Sequence, residues 1–188
     1  MIETRRLGPE LLGAYLDFFD GQAFRDNPEW SACYCNFLHA DCSVRSWQTW
    51  TAEENRSAVV ARIEAGRMPG LLAFAGDMPV GWCGAGPMTG FRALAGEARE
   101  DPERLGYITC FVVAPDWRRQ GIARTLLRAA CDAFREDGLL MAEANPRPRA
   151  ESDADNHYGP LGLYLSEGFE VWREDPSDGS VFVRKVLS

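Results

Sequence analysis

One stretch constrains the fold of this chain more than any other: Thr109-Cys-Phe-Val-Val-Ala-Pro-Asp-Trp-Arg118-Arg119-Gln120-Gly121-Ile122-Ala123-Arg124-Thr-Leu-Leu-Arg128. An apolar, β-branched run ends at Pro115, a basic glycine-containing turn follows, and the turn opens directly into an amphipathic segment. This order predicts strand, loop, helix. The first-turn amides of such a helix have no intrahelical partner, and the helix dipole adds positive potential there. A phosphate-bearing ligand is the natural occupant of that spot.

The remaining chain sets the context. With 188 residues, 46% of them hydrophobic and 26% charged, it has the size and balance of one globular domain spanning residues 1–188. No apolar run approaches the roughly 20 residues that span a bilayer. The N-terminal segment lacks a signal-peptide core, so a cytoplasmic location with no membrane partner is expected. The net charge is −8, carried against 19 arginines and a single lysine, Lys185. An acidic chain is a poor nucleic-acid ligand, because that binding rests on neutralising many phosphates. It suits a cationic small molecule or a basic peptide better. Against this background Arg118, Arg119, Arg124 and Arg128 fall within eleven residues, which fits one docked polyanion.

Periodicity supplies the element order. Residues 2–7 read as a strand and residues 8–19 as a helix with Leu11, Leu12, Tyr15, Phe18 and Phe19 on one face. Residues 21–50 are irregular and rich in Trp, Cys and Asn. Thr51-Ala-Glu-Glu54 has the form of a capping box and predicts a helix ending near Ala65. Residues 71–75 and 80–85 read as a hairpin, and 87–106 as a long loop with at most a short helix. Residues 107–114 form a buried strand, 122–136 a helix stopped by Gly138, and 139–144 another buried strand. A Pro, Arg and Asp loop over 145–156 follows. A short helix over 160–167 is closed by Gly168, and 169–173 with 181–187 form a final hairpin.

The basic turn lies between a buried strand and a helix, and Leu163-Tyr164-Leu165-Ser166-Glu167-Gly168-Phe169 follows it. At these two motifs the chain resembles the GNAT family of acyl-CoA-dependent N-acetyltransferases. The resemblance covers residues 71–188 as an acyl-CoA-binding core, and residues 1–70 only by element order as an acceptor-side segment. It implies an α/β (mixed α+β) fold, a single domain with a central twisted mixed β-sheet flanked by helices on both faces. It implies acetyl-CoA as cosubstrate and a small-molecule or peptide amine as acceptor, in a monomer or homodimer. Arg118, Arg119, Gln120, Gly121, Ile122, Ala123 and Arg124 then form the pyrophosphate loop. Val112 and Val113 hold the pantetheine arm, and Tyr164 serves the departing thiolate. Ordinary pKa values near 10 for tyrosine and 8.5 for a thiol make full proton transfer uphill by about 2 kcal/mol. A hydrogen bond from Tyr164 is thus as serviceable as proton delivery.

An aliphatic amine is mostly protonated at neutral pH, so a base is required. Glu143, at the end of a buried strand, is the first candidate and His157 the second. Cys110 has no evident activating base, which favours direct attack over a covalent intermediate. In this fold the N-terminal helices and the preceding loop wall the acceptor site, which makes Trp30, Tyr34, Phe37 and Trp82 pocket candidates alongside His157. Cys33, Cys35, His39 and Cys42 offer soft ligands, but their spacing is wrong for common zinc knuckles, so no metal is assigned. Two rivals to an enzyme stay open: an acyl-CoA-binding or regulatory protein without turnover, and a metal or redox sensor built on those four residues.

Overall fold

A computed structural model describes residues 1–148, 152 and 155–188. Seven strands form one sheet in the order β1-β2-β3-β4-β5-β7-β6. These are β1 (Ile2–Arg6), β2 (Gly70–Ala75), β3 (Met78–Pro87), β4 (Leu105–Val113), β5 (Met141–Ala144), β6 (Glu170–Glu174) and β7 (Val181–Val186). Every pairing is antiparallel except β4 with β5, which is parallel. The final hairpin folds back so that β7 lies inside and β6 becomes the edge, where Val171 and Trp172 stay exposed.

Helices cover both faces. On one, α3 (Ile122–Glu136) and α4 (Leu161–Ser166) bury Leu126, Leu127, Phe134 and Tyr164 against Val80, Ile108, Phe111 and Val183. On the other, α1 (Leu12–Asp17) and α2 (Ala52–Glu64) pack Tyr15, Phe18, Val59 and Ile63 against Leu72, Phe74 and Trp82. The α3 bounds are those the 3.6-residue apolar spacing predicts. The capping box at α2 is formed, with Thr51 Oγ1 accepting from the Glu54 amide at 3.2 Å and Glu54 Oε2 from the Thr51 amide at 2.8 Å.

Three local expectations are corrected. The first helix is interrupted: a 3-10 turn over Pro9–Leu11 precedes α1, and a π-turn over Phe18–Gln22 follows it. The wider π register lets the adjacent Phe18 and Phe19 both point inward. Strand β3 begins before Pro79, because the ladder shifts register between Ala73 and Phe74 and tolerates the missing amide there. The segment before β4 holds three short 3-10 turns, and the strand itself starts at Leu105. Of the predicted 145–156 loop, residues 149–151, 153 and 154 lie outside the described residues.

Strands β4 and β5 pair over only four residues, ending at Ile108 opposite Ala144. The remainder of β4, residues 109–113, runs past the end of β5, and the turn over Asp155–Tyr158 packs beside it. A parallel sheet that parts in this way opens a cleft beyond its strand ends, where such sheets bind ligands.

Candidate functional site

The turn after β4 is held in an unusual backbone shape. Arg119 (φ 61°) and Gly121 (φ 81°) are both left-handed, with Gly121 at the N-cap of α3. Left-handed residues in a turn direct successive N–H groups to a common point, the geometry of an anion nest. No side chain caps α3. A Cβ at Gly121 would meet no protein atom within 4 Å, so that side of the turn faces open space. The backbone of this loop fits a diphosphate.

The arginine side chains divide differently from the sequence expectation. Arg118 donates from Nε to the Val113 carbonyl at 3.1 Å, and its guanidinium pairs with Asp26, tying the N-terminal segment to the loop. Arg124 pairs with Glu167 at 2.9 Å and Arg128 with the same carboxylate at 2.7 Å, clamping α3 to the end of α4. The Arg124 side chain is therefore turned to Glu167, not to the loop. Arg119 is exposed beside the nest and makes no ion pair among the described residues. Ile122 contributes only its amide, since its side chain is buried beneath Gly81.

A cavity of about 590 Å³ lies against the parted end of β4. Its floor is Thr109, Cys110 and Val112, and its walls include Trp30, Phe37, Trp47 and Trp50 from the N-terminal segment and Asn55 from α2. Tyr158 and His157 close it from the opposite side. A smaller cavity of about 50 Å³ is lined by Val112, Val113, Arg118, Trp30 and His157. Trp30, Val112 and His157 border both spaces, and the smaller one reaches Arg118 at the start of the loop.

The aromatic wall is built on a strained turn. Tyr34 (φ 46°) and Cys35 (φ 50°) are consecutive left-handed residues, a conformation that disfavours non-glycine residues by roughly 1–2 kcal/mol each. Neighbours hold them there: the Tyr34 carbonyl accepts from the Tyr15 hydroxyl at 2.8 Å, and the Tyr34 hydroxyl donates to Asp20 at 2.6 Å. Asn55 braces the same segment, accepting from Asn36 and donating to the Ala32 carbonyl, each at 2.9 Å. The turn delivers Cys35 Sγ to 2.9 Å from Cys110 Sγ. Either thiol can donate in this contact, which together with burial raises the Cys35 pKa, and which lowers that of Cys110.

Several predicted site residues lie elsewhere. Tyr34 and Trp82 do not line the cavity; both are buried behind its wall in the aromatic cluster with Tyr15 and Phe19. Glu143 is fully buried on β5, accepting from Arg99 Nε at 2.8 Å through one oxygen and from Arg184 Nε at 2.7 Å through the other. It too is absent from the cavity wall, and its two oxygens are engaged in a structural ion triad rather than presented to a ligand. Tyr164 is fully buried under Phe111, and its hydroxyl donates to the Tyr158 carbonyl at 2.9 Å. Burial raises its pKa well above 10. Trp30 and Phe37 stand at the rim, and His157 packs its ring against Trp30 at 5.1 Å and Tyr158 at 4.1 Å.

The Cys33, Cys35, His39 and Cys42 set is not assembled. His39 is buried against Phe91, Cys42 is exposed, and Cys33 and Cys35 face the cavity. Among the described residues no group of three or more His, Cys, Asp or Glu side chains is placed to hold a metal ion. Sequence reasoning missed Trp47, Trp50, Asn55 and Tyr158. The first two belong to the aperiodic segment, whose tryptophan density was the available signal. Asn55 could have been found as a polar residue on the apolar stripe of α2.

A parted mixed sheet with an uncapped glycine-led helix beside the gap defines a class of α/β fold with an anion-accepting turn at the sheet opening. The comparisons agree: the chain belongs to the GNAT acetyltransferase family, whose model, described as the Acetyltransferase (GNAT) family, matches residues 25–152. Solved structures share the fold across almost the whole chain. PaiA N-acetyltransferase from Thermoplasma acidophilum, in complex with coenzyme A, is 16% identical, with 99% of each chain covered and a TM-score of 0.56. YncA of Salmonella typhimurium, described as a putative acetyltransferase with its cofactor acetyl-CoA, is 16% identical, covering 100% of this chain and 94% of its own, at 0.55. The ribosomal-protein-S18-alanine N-acetyltransferase from Escherichia coli is 16% identical, covering 100% and 95%, at 0.54. No curated protein sequence matches the chain. No helix among the described residues is long and apolar enough to cross a membrane.

Proposed function

We propose that this chain is an acetyl-CoA-dependent N-acetyltransferase acting on a primary amine held in the 590 Å³ cavity. The observation that carries this reading is that the small cavity lined by Val112, Val113 and Arg118, which precede the uncapped start of α3, shares Trp30, Val112 and His157 with the large one. Amides from Arg119 to Ala123 would hold the diphosphate, and the parted edge of β4 the pantetheine arm. Bound acetyl-CoA would supply an acetyl thioester, an acyl group activated toward amines.

The chain's own residues then divide the work. His157, on the walls of both cavities, takes the proton that an incoming ammonium must lose, passing it to solvent. Burial raises the Tyr164 pKa, which favours a hydrogen bond to the sulfur over proton delivery, its present acceptor being the carbonyl of Tyr158 on the cavity wall. Glu143 keeps β5, β7 and the segment before β4 together through its two arginines. Attack is direct.

A second reading, acyl-CoA binding without turnover, is favoured by one observation: neither Tyr164 nor Glu143 lies on the cavity wall. Mass-spectrometric detection of acetyl transfer over a panel of amines, run beside a coenzyme A binding measurement, separates the two. Binding with transfer to at least one amine supports catalysis. Binding with no transfer leaves the second reading, and absence of binding removes both.

A further inference from the structure

The acceptor cavity has an unusual wall for a chain of net charge −8. Trp30, Phe37, Trp47 and Trp50 come from one aperiodic segment and converge on it. Phe37 meets Trp47 edge to face at 5.2 Å, and Trp47 stacks toward Trp50 at 6.4 Å, so three rings form one continuous surface. Among the described lining residues Glu29 supplies the single carboxylate, and it is exposed at the mouth.

From this wall we infer that the cavity selects a monoamine with an aromatic or similarly flat apolar body, and rejects polyamines and aminoglycoside-like polycations. The inference rests on the acetyltransferase reading for its chemistry, but the selection itself is a property of the cavity. The overall acidic field attracts any cation to the surface. Entry is a separate matter. Among the described lining residues, each additional ammonium taken past Glu29 meets rings, thiols and the neutral Gln48, Asn55 and Thr109 with no carboxylate to pair with, and cation–π contact offsets only part of the cost of desolvating several charges. One ammonium stays near the mouth or is deprotonated beside His157. A flat ring gains edge-to-face and stacked contacts with Phe37, Trp47 and Trp50 beyond the area it buries. A volume near 590 Å³ is within the range of cavities that enclose a drug-sized molecule.

The transfer is balanced without further reagents. The amine nitrogen forms a bond to the acetyl carbon and the carbon–sulfur bond breaks. One amine proton ends on the departing thiol, and an acceptor that enters as ammonium releases one more proton to solvent.

The test uses calorimetric titration of the intact protein with phenethylamine and with spermidine, and mass-spectrometric acetylation of both. Phenethylamine is expected to bind at least 10-fold more tightly than spermidine, and Trp47→Leu to weaken it about 10-fold while leaving spermidine unchanged. Phe37→Leu, at a rim position, gives the same comparison should Trp47→Leu fail to fold. Tighter binding of spermidine overturns the inference, as does phenethylamine binding that both variants leave intact or that is absent. Phenethylamine bound but not acetylated preserves the inference and removes the acetyltransferase reading. Spermidine acetylated in preference does the reverse.

Discussion

The Tyr164 hydroxyl donates to the Tyr158 carbonyl at 2.9 Å, joining a helix on the α3 side of the sheet to a residue on the wall of the 590 Å³ cavity. Phe111 packs with Tyr164 on that side, while its neighbours Cys110 and Val112 face the cavity on the other. Strand β4 therefore presents alternate side chains to the two faces.

Replacing Tyr164 by Phe removes one buried hydrogen bond, with an expected loss of about 1 kcal/mol in stability. If the hydroxyl serves the sulfur, kcat falls by roughly 10- to 100-fold with KM for acetyl-CoA little changed. Steady-state kinetics beside a denaturant titration read both. Stability lost with kcat intact would confine Tyr164 to holding Tyr158 in place.

Gly121→Ala and Gly138→Ala form a matched pair. Both positions have positive φ (81° and 75°), and at both a Cβ would meet no protein atom within 4 Å. Each substitution is expected to lower stability by about 1 kcal/mol. Only Gly121→Ala should also weaken coenzyme A, by 10-fold or more, because its methyl group would project into the open space where we propose the diphosphate binds. Equal affinities in the two variants would place the diphosphate elsewhere.

Glu143→Gln tests the ion triad. Glu143 and Arg99 are almost wholly buried, and removing the carboxylate charge leaves Arg184 without its counter-ion and Arg99 with Glu97 alone. A loss of about 3 kcal/mol or more is expected, read as a lower denaturant midpoint. The pH dependence of kcat/KM should keep its shape. An altered acidic limb with stability preserved would return Glu143 to the role of base.

His39 makes the fold acid-sensitive. It is buried beside Arg62, and burial first, then that positive charge, lowers its pKa to about 4. The unfolded chain, with an ordinary histidine value near 6.5, binds this proton across a window in which the native state does not. Stability is therefore full above about pH 6.5 and declines as pH falls toward 4, by at most about 3 kcal/mol. His39→Gln should flatten that slope in thermal melts between pH 7 and pH 4.5, and an unchanged slope would assign the acid sensitivity to other groups.

Incubation with acetyl-CoA in the absence of amine should leave Cys110 unmodified by intact-protein mass spectrometry if attack is direct, as proposed. Cys110→Ala should retain turnover. An acetyl adduct on Cys110 that an added amine removes would replace direct attack by a covalent route. The lowered pKa of Cys110 makes it the thiol to watch.

What the sequence determined by itself is local and periodic. The spacing of Ile122, Leu126, Leu127, Ala130 and Phe134 set α3, the Thr51–Glu54 capping box set the start of α2, and Gly121 marked the turn between β4 and α3. Each is a property of residues within one or two turns of one another, which is why it can be read from a string. Only tertiary structure decided which side chains share a space. Residues 21–50 have no period, so their tryptophan density could flag an aromatic surface but not that Trp47 and Trp50 would line the cavity while Tyr34 was drawn behind it by Tyr15 and Asp20. Glu143 reads as a catalytic carboxylate until Arg99 and Arg184, 44 and 41 residues away, occupy both its oxygens. Charge pairing across such separations follows the order of strands in the sheet, and that order is a global outcome of burying both faces at once.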